Sequence, residues 1–243
     1  NAYLLADEGG FGPSLSSNKE ALDILMEVFA QCGYEPHRDV ALALDIASST
    51  FYDADRNSYH LQSEKKWLDR DKMVDMLESW TKDYPVVSIE DGLAQEDWEG
   101  WQLLTKKLGS TIQLVGDDLF VTNSERVNRG ALMGAGNAVL IKMNQVGTLT
   151  ETVKAVNAAR QAGFEIVISA RSGETEDDTL ADLAVGLNAN QIKIGSFAGS
   201  SRLAKYNQLA RINTQLNGRY AGGKFSFGNK YSSNISNDQK AAE

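Results

Sequence analysis

The chain reads Ala-Val-Leu-Ile-Lys-Met-Asn-Gln at residues 138–145. Its four consecutive apolar residues predict a strand buried on both faces, which is typical of a parallel sheet. Lys142 follows directly, so its amine leaves the core where the strand meets a loop. A lysine in a partly desolvated pocket can serve as a general base. A lysine that simply reaches solvent has no chemical role, and this stretch alone leaves both interpretations open.

Further apolar runs of this kind alternate with segments of helical periodicity on both sides of the stretch. Capping boxes formed by Ser17 with Glu20 and by Thr148 with Glu151 mark two helix starts. The predicted strands span residues 40–45, 86–91, 112–118, 138–141, 165–172 and 191–195. The predicted helices span residues 18–32, 69–83, 96–108, 123–134, 149–162, 176–187 and 201–216, with an irregular or hairpin excursion at 49–62.

This alternation predicts an α/β fold with a parallel sheet and helices outside it. The successive strands end at positions 45, 90, 117, 142, 170 and 193, and all of these residues except Ala170 are polar. Functional residues at the carboxyl ends of strands are typical of a (β/α)8 TIM-type barrel. An open, doubly wound sheet is the alternative, but it usually carries a glycine-rich phosphate loop after its first strand, and the sequence has none there.

Six strands can be recognised, whereas a complete barrel has eight. The chain has no initiator methionine and opens on apolar residues at 2–5, so we expect it to be the interior of a longer protein. We expect residues 1–222 to form an incomplete barrel domain and residues 223–243 to form a polar tail. A barrel that lacks its first strands has open edges, so we expect the isolated chain to be inactive or to fold poorly.

Composition limits the classes of partner. The 243 residues carry a net charge of −9, which argues against nucleic acid and against an anionic membrane surface. A small anionic substrate in a local basic pocket is compatible with that charge. Cys32 is the single cysteine and gives no disulfide framework, which indicates a reducing, cytoplasmic compartment. The sequence contains no apolar run of transmembrane length, and we expect no signal peptide.

Carboxylates end three successive predicted strands, at Asp45, Glu90 and Asp117. On a barrel these side chains would meet at one mouth. Three carboxylates with no cysteine or histidine nearby suit a hard divalent cation, namely Mg²⁺. Alternatively, each acidic residue caps the helix that follows its strand.

Two lysines, Lys142 and Lys193, end later strands. Two ammonium groups placed close together beside a divalent cation favour loss of a proton from one of them. A neutral lysine could then take a carbon-bound proton.

An arginine and a serine leave the strand between these two lysines. Arg171 and Ser172 offer a charged fork and a hydroxyl for a phosphate or carboxylate. The alternative for Arg171 is a salt bridge with Glu174 or Glu176. The glycine-bearing loop at residues 7–10 contains Glu8, which could bring an acid over the mouth of the barrel. A metal site, paired lysines and an anion clamp together suggest proton abstraction next to a carboxylate, as in the enolase superfamily.

Specific motifs then resemble enolase, the phosphopyruvate hydratase family of glycolysis, over roughly residues 4–222. They occur in the family's order: Asp-Glu-Gly-Gly at 7–10, Ser-Ile-Glu-Asp at 88–91, Gly-Asp-Asp-Leu at 116–119, Leu-Ile-Lys at 140–142 with Asn-Gln at 144–145, Arg-Ser-Gly-Glu-Thr-Glu-Asp at 171–177, and Gln-Ile-Lys at 191–193. The resemblance implies that an α+β domain and the first two barrel strands precede residue 1. It also implies a homodimer in the full-length protein.

The resemblance implies a role for each candidate residue in the Mg²⁺-dependent dehydration of 2-phosphoglycerate to phosphoenolpyruvate. The metal ligands would be Asp45, Glu90 and Asp117. Lys142 would remove the proton from carbon 2, and Glu8 would assist departure of the carbon-3 hydroxyl. Arg171 and Ser172 would hold the phosphate, while Lys193 would face the carboxylate and the metals. A second Mg²⁺ would use the phosphate and a mobile loop of the preceding domain.

Two positions depart from the family pattern. Ala170 stands where enolases have a histidine. After Lys193, residues 194–200 lack the family's usual Thr-Gly-Ser, and the first arginine is Arg202. These changes leave three hypotheses. The chain is part of an enolase, or of a paralogue such as a carboxyphosphonoenolpyruvate synthase that acts on a related phosphonate or phosphate acid, or of a non-catalytic binding protein on an enolase frame.

Overall fold

The computed structural model describes residues 5–218. These residues divide into two compact units. The large unit contains residues 15–120 and 129–138, and the small unit contains residues 5–14, 121–128 and 139–218.

The predicted alternation of strands and helices is confirmed throughout residues 5–218. The helices are α1 (Asn18–Gln31), α2 (Arg70–Asp83), α3 (Trp98–Leu108), α4 (Ser124–Met133), α5 (Met143–Val146), α6 (Leu149–Gln161), α7 (Thr179–Gly186) and α8 (Ser200–Leu216). The strands are β1 (Leu42–Asp45), β2 (Tyr52–Asp53), β3 (Ser58–Leu61), β4 (Lys66–Leu68), β5 (Val86–Glu90), β6 (Gln113–Gly116), β7 (Ala138–Ile141), β8 (Glu165–Ser169) and β9 (Gln191–Lys193).

Both predicted capping residues begin their helices. The Ser17 hydroxyl accepts the Glu20 main-chain N–H at the start of α1, and Thr148 accepts that of Glu151 at the start of α6. The carboxylate of Glu20 accepts from the N–H and hydroxyl of Ser16, so this capping box closes one residue earlier than the sequence predicts.

Three parallel strands form the sheet of the large unit, in the order β1, β5, β6. Asp45 pairs in register with Glu90, and Glu90 pairs with Val115. Because the strands are parallel and in register, the residues that end them lie at one edge of the sheet. Asp45 and Glu90 are therefore paired residues at the ends of β1 and β5.

The excursion at residues 49–62 is more ordered than the sequence indicated. After a 3-10 turn at Ser48–Phe51, the strands β2, β3 and β4 form a three-stranded antiparallel sheet. Tyr59 lies on the middle strand and is fully buried. Its hydroxyl donates to Asp97, which is the N-cap of α3, so this small sheet is joined to the helices of the large unit.

Close packing at the end of β6 depends on glycine. The ring of Phe120 is fully buried. A Cβ placed on Gly116 would lie 2.4 Å from this ring, and one placed on Gly130 would also lie 2.4 Å from it. Any larger residue would push the ring away, so the turn after β6 is fixed by this contact.

Apart from Ala138, the small unit contains β7, β8 and β9, in that order. All four residues of β7 are buried, which confirms the expectation for a strand covered on both faces. Strands β8 and β9 are parallel, and Ser169 pairs with Lys193. The two units thus hold six parallel strands between them, with helices in the connections, and the α/β class is confirmed.

None of the helices within residues 5–218 combines the length and the apolar character needed to cross a membrane. The predicted polar tail at 223–243 lies outside the described residues.

Candidate active site

The predicted metal ligands lie in the large unit, at or just after the ends of its parallel strands. Glu90 is 6% exposed and Asp117 is 9% exposed. Asp45 is exposed at the end of the edge strand β1. Burial of two carboxylates is costly unless a cation or hydrogen-bond donors compensate their charge.

A second acidic grouping overlaps the predicted one. Carboxylate oxygens of Asp91, Asp117 and Asp118 lie within 4.8 Å of one another. Asp91 also accepts two main-chain hydrogen bonds, from the N–H of Asp117 at 3.0 Å and from that of Asp118 at 2.9 Å. Burial raises the pKa of Asp91 to about 7, and the charges of the other two carboxylates act in the same direction.

Both groupings offer only carboxylate oxygen, so their chemistry fits Mg²⁺. They share Asp117. Because both oxygens of Asp91 already accept main-chain N–H groups, we interpret Asp91 as the residue that shapes the turn at 117–118. The predicted set of Asp45, Glu90 and Asp117 therefore remains our candidate for direct ligation.

These two interpretations make different predictions for metal affinity. We expect Glu90→Gln to weaken Mg²⁺ binding more than about 100-fold, because a ligand is lost, whereas Asp91→Asn weakens it about 10- to 100-fold, the range for outer-shell partners. Isothermal titration calorimetry measures both. Asp75→Asn is the charge-matched control, since Asp75 is exposed and pairs with Lys107. A larger loss for Asp91→Asn than for Glu90→Gln would reverse the assignment.

Lys142 lies in the small unit, where it follows β7 and is the N-cap of the short helix α5. The residue is half-buried. Its main-chain N–H donates to the Thr122 hydroxyl at 2.9 Å, and that hydroxyl in turn donates to the Gln145 side chain at 2.7 Å. Thr122 therefore fixes both ends of the turn that presents the lysine.

The backbone beside this turn is strained. Val121 and Thr122 have φ values of +44° and +54°, in the left-handed region that β-branched residues rarely adopt. Such a conformation persists only when the surrounding structure holds it, and it often accompanies a functional site. Here the strain places the buried Thr122 hydroxyl against Lys142.

Glu8 lies at the tip of a tight turn. The N–H of Gly9 donates to the Ala6 carbonyl, the N–H of Ala6 donates to the Gly10 carbonyl, and Gly9 has a left-handed φ of +81° that glycine adopts easily. Glu8 is half-buried. A hydrogen bond from the Ser172 side chain, aided by the charges of Arg202 and Lys193, lowers the pKa of Glu8.

The predicted anion clamp lies in the loop after β8. Arg171 and Ser172 are both exposed. The Arg171 guanidinium lies 3.5 Å from Asn144 Oδ1, while its main-chain N–H donates to Glu174. The Glu174 carboxylate forms its ion pair with Lys205, so the alternative of a salt bridge between Arg171 and Glu174 is not what this loop adopts.

Lys193 ends β9 and is exposed. The neighbouring strand, β8, is followed by Ala170, which is buried. The main-chain N–H of Ala170 donates to the Lys193 carbonyl at 2.9 Å. Residue 170 is therefore held by the sheet beside Lys193. The segments of Glu8, Ser172 and Lys193 meet in the structure, because the Arg202 guanidinium donates to the carbonyls of the adjoining Asp7 and Ile194 and of Ser172 itself.

Three residues of these sites were not found from the sequence: Asp91, Thr122 and Arg202. Two acidic residues stand together at 90–91 and at 117–118. This doubling was a signal that one member of each pair has a role other than direct metal ligation. No sequence signal marks Thr122 or Arg202, because their hydrogen-bond partners are main-chain groups or lie far along the chain.

A comparison with known protein families agrees with these features. The model of the family described as enolase, C-terminal TIM barrel domain, matches residues 1–228. That match covers most of the 243 residues, including both units and every candidate residue. The chain therefore belongs to the enolase family and carries its C-terminal TIM barrel domain.

Proposed function

We propose that this domain catalyses the Mg²⁺-dependent dehydration of 2-phosphoglycerate to phosphoenolpyruvate. The observation that carries this proposal is that the segments bearing an acid, a hydroxyl and a lysine, at Glu8, Ser172 and Lys193, meet around one guanidinium beside the loop of Arg171. Family membership supports a lyase of the enolase type. The test is phosphoenolpyruvate formation by the full-length protein with saturating Mg²⁺, which is measured by the absorbance of the enol product. If no phosphoenolpyruvate forms, the proposal is wrong.

In this reaction Lys142 takes the proton from carbon 2. Arg171 and Ser172 bind the phosphate, and Lys193 faces the substrate carboxylate, where negative charge develops. When bound, Mg²⁺ supplies charge stabilisation at that carboxylate. The turn held by Thr122 orients the Lys142 main chain before substrate arrives.

Glu8 must carry a proton before it can assist departure of the carbon-3 hydroxyl. Its lowered pKa means that the carboxyl is ionised in the substrate-free protein at neutral pH. The main cause of that lowering is the hydrogen bond from Ser172. When the Ser172 hydroxyl turns to the phosphate, this influence is removed, so substrate binding itself raises the pKa of Glu8 and favours the acid form.

Ala170 supports a second candidate, a paralogue that acts on a related phosphonate or phosphate acid. Enolases have a histidine at this position, and here the side chain is a methyl group held beside Lys193. The shortened side chain leaves the substrate without one polar partner that it has in the family. A different acid could use the space that an imidazole would fill.

Ala170→His separates the two candidates. If the domain descends from a 2-phosphoglycerate dehydratase, we expect the variant to raise turnover of that substrate by about 10²-fold or more, the contribution of one acid–base group. Steady-state kinetics of the full-length protein measure it. Ser169→Thr, on the same strand, is the control for a change of buried volume. Loss of a different native activity, with no gain on 2-phosphoglycerate, would favour the paralogue.

A further inference from the structure

Four main-chain carbonyl groups converge on one buried guanidinium in the small unit. Arg202, on α8, is 1% exposed. Its Nη1 donates to the carbonyls of Arg171 at 2.8 Å and Ile194 at 2.9 Å. Its Nη2 donates to those of Ser172 at 2.6 Å and Asp7 at 3.2 Å. The side chain therefore joins three segments that are distant in sequence.

Each of these segments carries a residue of the proposed reaction. The carbonyl of Asp7 directly precedes Glu8, and that of Ile194 directly follows Lys193. The third segment contains Ser172 itself. All four of these hydrogen bonds go to main-chain groups, so Arg202 holds the backbone of the three segments, and its charge also acts on the Glu8 carboxyl.

Two neighbours on α8 hold the same loops less completely. Lys205 donates to the Thr175 carbonyl at 2.5 Å and pairs with Glu174 at 2.9 Å. The Tyr206 hydroxyl donates to the Gly195 carbonyl at 2.6 Å. Neither contact reaches the turn of Glu8, so Arg202 is the side chain of α8 that ties this turn to the other two segments.

The segments also interlock directly. The Glu8 carbonyl accepts the Ser196 N–H at 2.8 Å, and the Ser196 hydroxyl donates to the Gly9 carbonyl at 2.8 Å. A Cβ on Gly9 would lie 2.4 Å from Ser196 Oγ, and one on Gly195 would lie 2.8 Å from the Glu8 carbonyl oxygen. The two glycines therefore permit the turn of Glu8 and the segment after Lys193 to approach closely, and Arg202 binds both of these segments.

Burying a guanidinium is costly unless its donors are satisfied, and Arg202 Nε has no hydrogen-bond partner among the described residues. If this side chain only filled space, an apolar residue would be more stable at this position. We propose that Arg202 is a positioning residue that sets the relative placement of Glu8, Ser172 and Lys193 for substrate. Its part in catalysis rests on the proposed dehydration, whereas its part in placing the three segments does not.

The test compares Arg202→Met and Arg202→Lys in the full-length protein by hydrogen exchange and by kinetics. We expect Arg202→Met to speed amide exchange at residues 5–11 and 194–196 by about 10-fold or more while β8 keeps its protection. With 2-phosphoglycerate and saturating Mg²⁺, we expect kcat to fall about 10²-fold and KM to rise, because misplacement by about 1 Å has that effect. Arg202→Lys keeps the charge and should recover part of both losses.

Two variants on the same helix are controls. Arg211→Met removes an exposed arginine that pairs with Asp178, and we expect exchange and kinetics as in the unchanged protein. Lys205→Met removes a buried cation that holds the loop of Thr175, so it should loosen residues 171–175 and leave the turn of Glu8 protected.

The outcomes separate the two proposals. If the unchanged protein does not dehydrate 2-phosphoglycerate, the proposed function is wrong, and the exchange comparison still tests the placement of the segments. If Arg202→Met leaves exchange at 5–11 and 194–196 unchanged, or lowers kcat only in proportion to the folded fraction with KM constant, the positioning role is wrong. If Arg202→Met does not fold, Arg202→Lys decides, because behaviour identical to the unchanged protein in both measurements would contradict the proposal.

Discussion

Lys142→Met is expected to lower kcat for phosphoenolpyruvate formation by about 10²- to 10⁴-fold, the range for loss of a general base. Methionine keeps the length and the apolar stem of the side chain but cannot accept a proton. The main-chain contact with Thr122 does not involve the side chain, so the turn before α5 should be retained. Binding of the substrate should weaken less than turnover does.

Exchange of the carbon-2 proton with deuterated solvent isolates the step assigned to Lys142. We expect Lys142→Met to abolish this exchange, whereas Glu8→Gln should slow dehydration and leave exchange detectable, because it affects the later step. Lys154→Met, which alters an exposed lysine on α6, is the matched control. Unchanged exchange in Lys142→Met would show that another group is the base.

The largest loss of stability is expected from Asp97→Ala, at about 3–5 kcal/mol, the range for breaking a buried charge pair. The Asp97 side chain is 1% exposed and lies 2.7 Å from the Arg70 guanidinium. It also accepts the Tyr59 hydroxyl at 2.9 Å and the Gly100 N–H at 3.1 Å. Its removal would leave the buried Tyr59 hydroxyl without its acceptor and the Arg70 guanidinium with only the exposed Glu99 as a partner.

Urea unfolding of the two proteins measures this loss as a shift in the midpoint at constant slope. Glu99→Ala is a close control, because Glu99 contacts the same Arg70 at 2.7 Å but is 76% exposed. For such an exposed pair we expect less than about 1 kcal/mol. Equal effects of the two substitutions would mean that the contact of Asp97 with Tyr59 contributes little.

The sequence was sufficient where the determining interactions are local or periodic. Four apolar residues before Lys142 predicted a strand buried on both faces, and β7 is buried at every position. Ser17 and Thr148 predicted helix starts because a capping hydroxyl acts within three residues. The ends of the parallel strands then followed from the alternation of elements.

The sequence was insufficient where partners lie far apart in the chain or belong to the main chain. The three-stranded sheet at residues 52–68 depends on the contact of Tyr59 with Asp97, which no local pattern reveals. Arg202 is a cation in a helix, and such residues are normally taken to face solvent. Its acceptors are carbonyl groups, which every residue type carries, so no pattern of side chains indicates where it points.

The interlocked turn at residues 6–10 has a kinetic consequence. The Glu8 carbonyl accepts the Ser196 N–H, and the Gly9 carbonyl accepts the Ser196 hydroxyl at an approach that only glycine permits. The conformational entropy of this segment is therefore lost once, when the chain folds, and not again in each turnover. In the proposed dehydration the Glu8 carboxyl would therefore be positioned before each turnover, so this part of the cycle would involve the transfer of a proton and no search by a closing loop.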